Sequence, residues 1–131
     1  MTTHKTHHEL IKEAIFIFAE VVKLMGYRVF IAERGTYGFF TDQEGTRVVS
    51  FEETYGNIKL SGNYVTDNPK SSGTGWYIDA VRPDVSLKDT IDNAFNASPF
   101  PGAIQHCGTW RYTTLEEHLK NYQSSSRYKE I

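Results

Sequence analysis

Five short stretches between residues 27 and 81 alternate apolar and polar side chains, and glycine-bearing turns separate them: YRVFIAER, GFFTDQ, TRVVSFE, NIKLSGNYVT and GWYIDAV. Alternation with a period of two places successive side chains on opposite faces of a sheet. Runs this short, joined by turns this tight, predict an antiparallel meander. The strands are expected over 27–34, 37–41, 46–53, 58–66 and 75–81. Asp42-Gln43-Glu44-Gly45 has the grammar of a type I hairpin turn, with glycine at the left-handed position. Gly62 falls inside the fourth strand and is read as the point where the sheet bends.

A helix precedes the meander. Thr6 and Glu9 have capping-box spacing, and Gly26 suits a C-terminal stop. The helix is expected over 7–25. Its apolar residues cover most of the circumference, which predicts a helix sandwiched in the core. Phe16 breaks the polar stripe made by Glu9, Glu13, Glu20 and Lys23. Either the C-terminal helices cover it or it marks a contact with another protein.

Two short helices follow. Ser86 with Asp89 caps one over 87–95, and Thr113 with Glu116 caps another running to about Tyr122. Two prolines and a glycine keep 96–102 irregular, and the path of 97–112 stays open. Residues 1–5 and 124–131 read as frayed polar ends. The chain therefore reads as one α+β domain over 1–131: an N-terminal helix packed on a curved antiparallel meander of about five strands, then two short C-terminal helices.

Composition narrows function mainly by exclusion. A net charge of −2 disfavours binding built on phosphate neutralisation. The single cysteine, Cys107, allows no intramolecular disulfide and no Cys-rich metal site. The start MTTHKTHHEL lacks the apolar core of a signal peptide, and the longest apolar run is too short to span a bilayer. A cytoplasmic protein without membrane association is expected.

Chemistry-bearing residues are few. His4, His7 and His8 cluster at the N-terminus, yet their spacing fits no standard metal site, so no metal or cofactor is expected. Cys107 would need a base within reach, and His118 suits that role better than its neighbour His106. Asp79 sits on a strand, where a carboxylate serves either as an acid or base or as the partner of an arginine such as Arg28, Arg47 or Arg82. Cys107, His118 and Asp79 are thus the weak catalytic candidates.

The aromatic content, 14%, is the more suggestive signal. Alternation puts rings on both faces of the sheet, whereas one helix covers only one face. Phe16, Tyr64, Trp76, Tyr77 and Trp110 are the candidate binding residues. The expectation is a non-enzymatic binding protein, acting through a protein partner or as a homodimer. The alternatives are a small-molecule binder or enzyme with an aromatic-lined pocket, where Asp79, Tyr77 or His118 supply polar groups, and a nucleic-acid-associated accessory protein.

Overall fold

The computed structural model describes residues 6–66, 74–82, 84–97, 110–122 and 127–131, with backbone alone for 65–66, 74–79, 110 and 121–122. It contains α1 (His7–Leu24), β1 (Arg28–Ala32), β2 (Tyr37–Thr41), β3 (Val48–Thr54), β4 (Asn57–Thr66), β5 (Thr74–Ala80), α2 (Leu87–Phe95), β6 (Trp110–Tyr112), α3 (Leu115–Tyr122) and β7 (Tyr128–Glu130). The class is α+β, as expected.

The strands form one open antiparallel sheet in the order β5-β4-β3-β2-β1-β7. β6 pairs with β4 through Tyr64↔Tyr112, while Tyr64 also pairs with Thr74 of β5. β6 therefore continues the β3 edge of β4 beyond the start of β3.

Two local readings are corrected. The irregularity expected at Gly62 does not fall on that residue, which pairs regularly with Val49 and Trp76. The register instead shifts between Leu60 and Ser61, which pair with Asp79 and Tyr77 and leave Ile78 of β5 as the extra residue of a bulge. The cap of α3 is Thr114 with Glu117, not Thr113 with Glu116. Glu117 N–H donates to Thr114 Oγ1 at 3.2 Å, and Thr114 N–H donates back to Glu117 Oε1 at 3.2 Å. Thr113 is buried, and its N–H donates to Asn63 O at 2.9 Å.

The two faces of the sheet are covered by different elements. On one, Ile15, Phe18, Ala19 and Val22 of α1 pack on Val29, Phe40, Val49, Phe51 and Leu60, joined by Ile91 and Ala94 of α2. Phe18 meets Phe51 edge-on at 5.0 Å. On the other, Phe30, Phe39 and Val48 pack under Leu115 and Leu119 of α3 and Tyr128 of β7. The β2–β3 turn seats α3 there: Leu115 N–H donates to Gly45 O at 2.9 Å. Gly45 has φ +72° and lies so close to Leu115 that a Cβ would fall 2.9 Å from that side chain's own Cβ.

The frayed C-terminus expected over 124–131 is the other correction, for residues 127–131; residues 124–126, like the frayed start expected over 1–5, lie outside the described residues. Residues 128–130 are a strand that pairs with β1 through Phe30↔Glu130 and Ala32↔Tyr128. Arg28 grips Glu130 with two hydrogen bonds of 2.8 Å. Tyr128 stands edge-on to Phe39 at 4.8 Å. Tyr128→Ala is expected to cost about 2 kcal/mol through lost ring contacts, read as a lower urea midpoint with an unchanged slope.

Candidate functional site

Helix α1 carries two parallel apolar lines. Ile11, Ile15, Phe18, Val22 and Met25 face the sheet, where they are buried or half-buried in the core. Shifted by one residue, Leu10, Ala14, Ile17, Val21 and Leu24 repeat the same alternating four- and three-residue spacing. That spacing is the seam of a coiled-coil helix. One residue corresponds to about 100° of rotation, so the second line cannot reach the sheet.

The second line stays open to solvent. Leu10 is 51% exposed, Ile17 61% and Leu24 88%. Ala14 is exposed too, and Val21 is half-buried. The helix is thus not sandwiched as its circumference suggests. Glu9, Glu13 and Glu20 run along one flank of the seam, and Lys12 and Lys23 lie beyond them; all are exposed.

Phe16, 48% exposed, borders that flank. It is not covered by the C-terminal helices, because α2 packs over β3, β4 and β5 and α3 lies on the opposite face. Phe16 lines a groove of about 670 Å³ with Lys12, Glu13, Ile17, Ile31 and Gly35. The groove continues past Phe16 and Ile31 toward Arg127, Lys129 and Ile131 beside β7. Seam and groove together form one partly apolar surface along the side of α1.

The other expected site residues are dispersed. Tyr64 is a core residue, 2% exposed, with its ring 5.4 Å from that of Tyr112, which removes it from any binding face. Asp79, Trp76 and Tyr77 belong to β5 and Trp110 to β6, and their side chains lie outside the described residues. Cys107 and His4 also lie outside them. Of the arginines considered for Asp79, Arg28 holds Glu130, Arg82 holds Asp84, and Arg47 lies over the Tyr112 ring at 4.2 Å.

His118 is 4% exposed, edge-on to Phe39 at 4.5 Å. Burial drives its pKa down to about 4, so the imidazole is neutral at pH 7. Its neighbour Glu117 is pulled down to about 2, chiefly by its hydrogen bonds with Arg111 at 2.6 and 2.7 Å. Among the described residues no three His, Cys, Asp or Glu side chains gather into a metal-binding group. No helix among them is long and apolar enough to cross a membrane.

No protein-family model matches the chain, and no curated protein or solved structure does either. The functional reading therefore rests on the geometry of α1 and the sheet.

Proposed function

We propose that this chain is a non-enzymatic interaction protein whose working surface is the outer seam of α1 with the Phe16 groove beside it. The observation that carries the reading is the solvent-exposed line of Leu10, Ile17 and Leu24 at heptad spacing. Large aliphatic side chains at regular helical spacing mark a surface that another helix can cover.

The partner we propose is an amphipathic helix of another protein, apolar along one seam and bearing Lys or Arg beside it. Burying Leu10, Ile17 and Leu24 contributes about 3–6 kcal/mol, scaled from about 1.5–3 kcal/mol per fully buried side chain. Association costs about 4 kcal/mol or more in lost freedom. The apolar term alone is therefore close to break-even, and the groove and the flanking charges decide the outcome. A basic flank on the partner meets Glu9, Glu13 and Glu20 favourably. A second copy, paired antiparallel about Ile17, places Glu13 of one copy beside Glu20 of the other, twice. Each such like-charge contact costs a few tenths of a kcal/mol, about 0.2–0.5. With a single cysteine in the sequence, a cytoplasmic setting fits the same proposal.

The test uses two fluorescent model helices with identical Leu/Ile seams, one flanked by Lys and the other by Glu. The Lys-flanked peptide is expected to bind the protein at least about tenfold more tightly. The double variant Ile17→Glu/Leu24→Glu is expected to lose that binding while keeping its thermal midpoint, since both side chains face water. Equal affinity for the two peptides, or no binding of either, overturns the proposal. A concentration-dependent dimer in sedimentation velocity that the double variant abolishes replaces the foreign helix with a second copy.

A further inference from the structure

The described residues cover the second face of the sheet only in part. Beyond the cluster under α3, the register brings the side chains of Tyr37, Ser50, Glu52, Ser61 and Asn63 to one face. Tyr37 pairs with Glu52, Phe39 with Ser50, and Ser50 with Ser61. His118 and Tyr128 border the same area, and the floor is formed at Gly38 and Phe51. The result is an open cleft of about 270 Å³, near the small end of ligand pockets.

Its chemistry is almost free of charge. Asn63 Nδ2 donates to Ser50 Oγ at 2.8 Å and to Val48 O at 3.3 Å, which fixes the amide plane. Because Ser50 accepts that bond, its own hydroxyl proton points elsewhere. Tyr37 and Tyr128 stand edge-to-face at 6.2 Å, and the His118 ring is 6.1 Å from that of Tyr128. Among the described residues of the lining Glu52 is the one that carries a charge, and its cross-strand neighbour in register is Lys59. Among the described residues no Lys or Arg lines the cleft to offset the desolvation of a phosphate or carboxylate.

We infer that this cleft between β2, β3, β4, α3 and β7 binds a small neutral polyhydroxylated molecule of monosaccharide size. Ligand hydroxyls donate and accept, matching the serine, tyrosine and asparagine groups and the Glu52 acceptor. The C–H face of a sugar ring packs on tyrosine rings, where one side is apolar and the rim is wet. The cleft is on the opposite side of the sheet from α1, so this inference is independent of the proposed helix-binding function.

The experiment is a two-dimensional amide NMR titration of the full chain with glucose, galactose and mannose, each separately, and with choline and inorganic phosphate as cationic and anionic probes. At least one sugar is expected to shift the Ser50, Ser61 and Asn63 resonances saturably, with a dissociation constant of about 1 mM or below. Asn63→Ala is expected to weaken that binding about tenfold. Ser61→Ala is expected to weaken it less, and it provides the reading if Asn63→Ala fails to fold. Overturning results are no saturable shift with any sugar, the same resonances moved by choline or phosphate instead, or full sugar binding by both variants.

Discussion

Gly38→Ala is expected to destabilise the protein by about 3 kcal/mol or more, toward the upper end of what overpacking does to a core. Gly38 pairs with both Ile31 and Phe51 in the middle of the sheet. A Cβ there would collide with the Phe30 carbonyl oxygen and fall 2.8 Å from Phe51 Cζ and 3.2 Å from Ile31 Cα. Two of those neighbours are backbone atoms of β1, so relief requires the strands to part. Gly56→Ala is the control. Gly56 has φ +82° with nothing within 4 Å of a Cβ, so only left-handed strain acts, costing about 1 kcal/mol. Urea denaturation of both variants separates collision from strain. A Gly38→Ala cost no larger than that of Gly56→Ala would place β1 and β2 wrongly.

Lowering the pH from 6.5 toward 4 is expected to remove up to about 3 kcal/mol of stability through His118 alone. The imidazole titrates near 6.5 when unfolded and at about 4 when buried against Phe39. Between those values the unfolded chain binds a proton that the folded chain does not, so stability falls as pH falls. The penalty is absent above 6.5 and complete below 4. Glu117 acts lower. Its folded pKa of about 2, against 4.5 ordinarily, contributes stability that is lost as pH falls from about 4.5 through 2. That side chain is about one-third exposed, so solvent screening keeps its contribution small. The interval from 6.5 to 4.5 is thus dominated by His118. His118→Leu is expected to flatten the urea midpoint across that interval. An unchanged slope would mean that His118 is solvated.

The meander was legible because its signals are local. β2 and α2 fall where alternation and the Ser86 cap place them. β3 begins at Val48 rather than at 46 because Asp42 accepts from both the N–H and the hydroxyl of Thr46, which makes Thr46 part of the turn. The misses are relations between distant segments. A bulge at Ile78 depends on two strands at once. Consecutive threonines, Thr113 and Thr114, offer two capping frames, and the contact of Thr113 with Asn63 chooses between them. The C-terminal strand is held by Arg28 and Glu130, 102 residues apart, which no reading of RYKEI as a polar tail contains. Strand alternation placed aromatic rings on both sheet faces. Topology alone assigns α1 and α2 to one face and α3 to the other.

The outer seam of α1 was misread as part of a sandwiched helix, although its pattern stands in the sequence. Two interleaved heptad lines stand in HELIKEAIFIFAEVVKLM, and only one of them can face a sheet. Taken together they imitate a helix buried all round. Exposure of Leu24 and Ile17 separates them.

The most direct test of α1 as the working surface is an amide NMR map of the full chain titrated with the Lys-flanked model helix. The expected result is shifts concentrated at Leu10, Ala14, Ile17, Val21 and Leu24 and extending to Phe16, with β2 to β4 unmoved on the far face. Shifts confined to Ser50, Ser61 and Asn63, or scattered without a centre on α1, would contradict it.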